Sequence, residues 1–284
     1  MSVPRHLRLD SRVEPTRLAT ASGELAALIA TPTEGTSAAP GVLLVPGYTG
    51  SKEDFIHLLP LLADAGHRTT AVDLRGQFES GGPEDLAAYT IDALAADIAG
   101  LLPTDEPWHL VGHSFGGLIC RAAVLGGAPV RSLTLLCSGP AQLGGNRGAL
   151  IEMMRPLLAD GGVPAVWEAS NSLPSDPNAP PVPEEVQDFL KRRFLASPAA
   201  ALLGMGTELT TASDRVEELA AANVAVLVAC GENDDAWLPA EQQAMAARLG
   251  APYIEFPGLS HSPAVDDAEM VAAALVSFWS DLSR

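Results

Sequence analysis

Val111-Gly112-His113-Ser114-Phe115-Gly116-Gly117 is the stretch whose reading decides the fold. The residues leading into it, Trp108 to Val111, form a short apolar run that reads as a buried strand. Those leaving it, Leu118 to Leu125, read as a helix ended by Gly126-Gly127. Gly-x-Ser-x-Gly between a strand and a helix marks a sharp turn with the serine at its apex. Such a turn holds its central residue in a strained backbone conformation, and side chains two positions to either side would collide. Ser114 Oγ is then pushed clear of the backbone. The Phe115 N–H, at the start of the helix, is free to donate to a developing negative charge.

Outward from this turn, strands and helices alternate. Val42 to Val45 is a fully apolar strand that stops at the breaker-rich Pro46-Gly47-Tyr48-Thr49-Gly50-Ser51. Asp54 to Ala65 has a helical period through Phe55, Leu58, Leu59 and Leu62, and Thr69 to Val72 is the next strand. Thr90 is placed to cap a helix with Ile91, Leu94, Ala95, Ile98 and Leu101 on its inner face. Residues 17–31 look like antiparallel strands at a sheet edge, and Thr33 to Pro40 like a loop. Leu133 to Cys137 is the strand after the serine turn. The alternation then breaks from Pro140 to about Ala212. Helical pieces are expected near Leu150–Leu158, Ala165–Ala169, Glu184–Leu195 and Ala199–Leu203, with Pro174 to Pro183 as loop. It resumes with a helix over Arg215–Ala222, a strand over Val224–Ala229, a last strand over Tyr253–Phe256, and a final helix opened by Asp266-x-x-Glu269. The pattern predicts an α/β fold: a mostly parallel sheet flanked by helices, with core segments 1–139 and 213–284 and an inserted helical cap, 140–212.

Composition narrows the partners. The 284 residues are 47% hydrophobic and 18% charged, as in an ordinary globular chain. A net charge of −18 argues against nucleic acid and anionic membranes as partners and leaves a small-molecule substrate. Met1 to Asp10 lacks a signal-type apolar core and no run is long enough to span a bilayer, so a cytoplasmic protein is expected. Cys120, Cys137 and Cys230 lie in buried-looking segments and read as reduced core thiols, with no zinc-ligand spacing.

A serine hydroxyl needs a base to take its proton, and the base needs an acid to orient it. In a parallel sheet these groups belong in loops leaving the carboxyl ends of strands. Ser114, Asp234 and His261 each follow such a strand, with Asp235 the alternative acid. Of the other histidines, His113 is expected to point elsewhere along the turn, and His6, His57, His67 and His109 to lie at the surface or at helix ends. In the inserted segment Met153, Met154, Trp167 and Met205, with Trp237 beyond the acid, are candidates for a substrate pocket wall. The Lys191-Arg192-Arg193 cluster is expected to face solvent.

These motifs resemble the α/β-hydrolase superfamily over nearly the whole chain outside the insertion. The resemblance rests on Pro46-Gly47-Tyr48, Asp73-Leu74-Arg75-Gly76, the serine turn, Gly231-x-x-Asp234 and His261, with the order Ser, Asp, His. The alignment favours Asp234 over Asp235. Two positions depart from the family: Pro46 stands where histidine is usual, and Phe78 where a glycine is, so that loop is expected to bend differently. The resemblance implies acyl transfer by Ser114 with His261 as base and the Tyr48 and Phe115 amides as oxyanion hole, needing no metal or cofactor. It points to an ester, lactone or thioester of small to medium apolar character. The alternatives are carbon–carbon bond hydrolysis or cofactor-free perhydrolysis on the same triad, or a ligand-binding protein with little turnover. A serine at the turn argues against the epoxide hydrolases and dehalogenases of this fold, whose nucleophile is aspartate.

Overall fold

The computed structural model describes residues 1–33, 39–172 and 181–282. Most of the loops expected at 33–40 and 174–183 lies outside them. The chain opens with β1 (Val13–Thr20), β2 (Gly23–Ala30) and β3 (Ala39–Val45). α1 (Leu58–Asp64), β4 (His67–Val72), α2 (Ile91–Leu101), β5 (Trp108–His113), α3 (Phe115–Leu125) and β6 (Val130–Leu136) follow. Next come α4 (Gly145–Asn171), α5 (Glu184–Leu195), α6 (Ala199–Thr211) and α7 (Val216–Ala221). β7 (Ala225–Gly231), α8 (Pro239–Leu249), β8 (Tyr253–Phe256), α9 (Pro263–Asp266) and α10 (Ala268–Asp281) complete it.

The eight strands form one sheet in the order β1-β2-β4-β3-β5-β6-β7-β8. β1 and β2 form a hairpin, β2 runs antiparallel to β4, and every later pairing is parallel. Both faces of the parallel part are covered. Leu43 and Val45 join the cluster under α2, α3 and α8, while Val42 and Leu44 join the one under α1 and α10. That is why these strands read as unbroken apolar runs. Each such side chain buried gains about 1.5–3 kcal/mol. From β3 the chain moves to β4 on one side, and from β5 to β6 on the other. The loops leaving β3 and β5 therefore diverge, and a crevice opens between their carboxyl ends, where ligands bind in such sheets.

Several expectations are corrected. The helix over 54–65 is a 3₁₀ turn, Lys52–Phe55, followed by α1. The helical pieces at 150–158 and 165–169 belong to one element, α4, bent where Gly162 takes φ +71°. α8 carries no apolar stripe, since Gln242 sits on its buried face beside Met245 and Ala246, and periodicity misses it. Its signals are at its ends: Pro239 in the first turn and Gly250 at φ +63° after the last. The final helix is capped by Asp267, whose carboxylate accepts from the Met270 N–H, while Asp266 accepts from Ser260 N–H. Among the described residues, no helix is long and apolar enough to cross a membrane.

His67 and His109 are buried rather than superficial. They meet at the amino-terminal end of the sheet, where His109 stacks on Trp279 with ring centroids 4.5 Å apart. Burial, with the nearby His67 and Arg131, pushes the His109 imidazole down to about 3. Above its ordinary 6.5 the ring is neutral folded or unfolded; below that, only the unfolded chain takes up the proton. Stability therefore falls as pH drops from 6.5 towards 3, by at most about 1.4 kcal/mol per unit for this group. His109→Phe, which keeps an aromatic ring against Trp279, is expected to lose fewer degrees of melting temperature between pH 7 and pH 5 than the parent. Equal losses would contradict it.

Candidate active site

Ser114 stands at the turn between β5 and α3 with φ +54° and ψ −120°. The flanking glycines are needed for space. A Cβ at Gly112 would come within 2.5 Å of the Gly116 carbonyl oxygen, and one at Gly116 within 2.4 Å of that of Val45. Both are closer than real Cβ atoms approach. The turn thus packs directly against β3 and lifts Ser114 Oγ into the crevice.

His261 follows β8 and reaches Ser114 with its Nε2, 3.0 Å from Oγ. Its Nδ1–H donates to Asp234 Oδ1 at 2.8 Å. Asp234 follows β7 and is buried, as is His261 at 9% exposure. Burial alone would raise the Asp234 carboxyl, but the bond and charge of His261, with donors from Ala236 and Gln242, bring it below its ordinary value. Asp235, by contrast, points outward and pairs with Arg147. The geometry therefore joins Ser114, His261 and Asp234 and leaves Asp235 apart.

His113 does not point away from the site. Its Nε2–H donates to the His261 carbonyl oxygen at 2.6 Å, tying the serine turn to the histidine loop. Burial, then the neighbouring His261, pushes its imidazole down to about 3, so the ring that makes this bond is neutral. Among the described residues, one group has metal-type spacing: His113, Cys137 and His261, with ligand atoms within 4.8 Å of one another. Both His261 nitrogens and His113 Nε2 are engaged in the bonds just given.

Across the crevice, Gly47 packs against the serine: a Cβ there would lie 2.9 Å from Ser114 Cβ and 3.3 Å from Oγ. The Gly47 carbonyl accepts from Gln77 Nε2 at 2.8 Å. In a trans peptide the next N–H points the opposite way, so Gln77, with the Gly50 N–H that donates to the same carbonyl at 3.0 Å, fixes the direction of the Tyr48 amide. The Phe115 amide opens α3, where the first N–H groups lack helical acceptors. Gln77 was not foreseen; its only sequence signal is its place after Asp73-Leu74-Arg75-Gly76. Phe78, expected to redirect this loop, instead takes φ +35°, a left-handed backbone that glycine would enter without strain. Its ring packs edge-on against Phe189 of α5, 5.5 Å between centroids.

A cavity of about 390 Å³ opens beside Ser114 and His261. Its wall is mainly apolar, with Ile151, Met154, Leu158, Phe194 and Leu202 from the inserted helices. Arg147 and Arg155 also border it, the latter bonded to Glu152 and Thr207. Of the residues foreseen for this wall, only Met154 takes part. Met153 is 59% exposed. Trp167 packs on Phe194 away from the cavity, Met205 is buried in the core, and Trp237 lies against Gly139. Sequence spacing puts Met153, Met154, Trp167 and Met205 on helices but does not say which face the sheet takes.

Arg193 corrects another expectation. It is 1% exposed and bonds Asp54 at 2.7 Å and the Ser2 carbonyl at 2.8 Å, while Lys191 and Arg192 face solvent. Val186, Phe189, Leu190, Arg193 and Phe194 share one buried helical face, so the spacing did carry this signal.

Comparison with known proteins gives the family and the fold. A family model described as the alpha/beta hydrolase family matches residues 42–274. Epoxide hydrolase A of Mycobacterium tuberculosis is 39% identical over 93 residues, which are 32% of this chain and 29% of that protein. The chain thus matches under a third of the length of that relative. Among solved structures, the enol-lactonase from Burkholderia xenovorans LB400 superposes with a TM-score of 0.76 at 21% identity, covering 93% of this chain and all of that one (100%). A thermophilic esterase from Thermogutta terrifontis gives 0.73 at 24% identity, covering 95% and 99%. With the family model spanning most of its length and the sheet, serine turn and crevice arranged as described, this chain belongs to the α/β-hydrolase family.

Proposed function

We propose that the protein is a serine hydrolase acting through an acyl-enzyme on a carboxylic ester, lactone or thioester. The observation that carries the reading is the continuous chain from Ser114 Oγ to His261 Nε2, 3.0 Å, and from His261 Nδ1 to Asp234, 2.8 Å. In the first step His261 takes the Ser114 proton while Oγ attacks the substrate carbonyl. The Tyr48 and Phe115 amides receive the oxyanion, and His261 then protonates the leaving group. Water attacks the acyl-enzyme with His261 again as base, releasing acid and free serine. The epoxide hydrolase match covers a minority of the chain, and a serine stands at the turn. Ester-type acyl transfer is therefore the reading we take. An aligned triad also favours an enzyme over a ligand-binding protein, which has no use for an activated serine. The three free, buried cysteines fit a cytoplasmic setting.

The inserted helices act as a cap that sets substrate size. Apolar walls gain about 0.8 kcal/mol per buried methylene, roughly fourfold each in kcat/KM. On a panel of uncharged esters of increasing acyl length, butyrate and hexanoate are expected to exceed acetate by one to two orders of magnitude. A preference for acetate, or for esters bearing a free carboxylate, would contradict this and direct attention to Arg147 and Arg155.

A further inference from the structure

Gln242 lies in the first turn of α8 and is fully buried. Its amide nitrogen donates twice, to Asp234 Oδ2 at 2.9 Å and to the Trp237 carbonyl at 2.8 Å. Its oxygen, Oε1, finds no hydrogen-bond donor among the described residues. A buried carbonyl without a donor costs free energy, and leucine or methionine would fill the same space without that cost. The other buried side chains of α8, Met245 and Ala246, are apolar or small. What glutamine supplies at this place is its NH₂, shared between the Asp234 carboxylate and the Trp237 carbonyl. Turning the amide over does not help: Oε1 would then face both the Asp234 carboxylate and the Trp237 carbonyl, three acceptors together.

The gain is at Asp234. Its Oδ1 accepts from His261 Nδ1 and from the Ala236 amide at 2.9 Å, whereas Oδ2 accepts from Gln242. We propose that Gln242 is a positioning residue for the hydrolytic reaction. It fixes the rotation of the Asp234 carboxylate so that Oδ1 meets the imidazole, and it secures the charge on the acid. The inference rests on the triad reading above. Without this donor, Oδ2 loses its amide partner, the carboxylate is held less firmly in its rotation, and less of its negative charge is drawn away from His261. The Oδ1 to Nδ1 bond that orients the imidazole is then altered, and the pH profile of kcat/KM reads that change.

The test compares Gln242→Met, Gln242→Glu and Ser114→Ala with the parent, reading melting temperature, kcat, KM and the pH profile of kcat/KM on one ester. Gln242→Met is expected to fold, to lose about tenfold or more in kcat, a fraction of the roughly 10⁴ lost with the acid itself, with KM within twofold, and to shift the acid limb of the profile. Gln242→Glu sets a second carboxyl beside the acid and is expected to move that limb further. A Gln242→Met enzyme, or Gln242→Glu should the first not fold, with unchanged kcat and acid limb while Ser114→Ala is inactive would overturn this inference alone. Substantial turnover by Ser114→Ala would overturn the triad reading instead.

Discussion

Ser114→Ala is expected to lower kcat on esters by about 10⁶-fold, the size of effect seen when a triad serine is removed from a serine protease. The melting temperature should stay close to that of the parent. Oγ bonds His261 Nε2 at 3.0 Å, and Ser114 belongs to neither apolar cluster of the described residues. Alanine also keeps the Cβ that rests near Gly47, so the fit of the two loops is preserved. What it removes is the hydroxyl that the proposed mechanism uses as nucleophile. Steady-state hydrolysis with active-site titration checks this. Turnover within tenfold of the parent would remove Ser114 from the mechanism.

Asp234→Asn is expected to cost about 10⁴-fold in kcat, as in the serine protease case. Asparagine presents one oxygen and one NH₂ to an environment built for two acceptors. With its NH₂ towards His261, it meets the Ala236 N–H and imposes the imidazole tautomer whose Nε2 cannot accept a proton. With its oxygen towards His261, the NH₂ faces the Gln242 donor instead. Either way a donor opposes a donor, so the melting temperature should fall too. Asp235→Asn is the control. That side chain is 65% exposed and loses only a surface pair with Arg147, so activity should stay within about twofold. Greater damage from Asp235→Asn would reverse the assignment of the acid.

The positions of Ser114, Asp234 and His261 in the crevice were legible because each depends on local grammar. A Gly-x-Ser-x-Gly turn needs small residues where the backbone crosses β3, and an apolar strand followed by a polar loop marks the carboxyl edge of a parallel sheet. The pocket wall was less legible. Met153 and Met154 are neighbours, yet one faces solvent and the other the cavity, and only the docking of α4 decides which. Buried polar groups were hardest to find. Gln77, His113, Arg193 and Gln242 act through side-chain hydrogen bonds whose partners only the folded chain brings together, and a single polar residue leaves no period to detect. Arg193 is the partial exception, since its helical phase matched the apolar stripe of α5.

The measurement that bears most directly on the account is covalent labelling with a fluorophosphonate, which reacts with a serine only when a base has activated it. Intact mass followed by peptide mapping should find one adduct, on Ser114, that is absent from Ser114→Ala and forms far more slowly in Asp234→Asn. A folded parent that stays unlabelled, or an adduct on any residue other than Ser114, would contradict it.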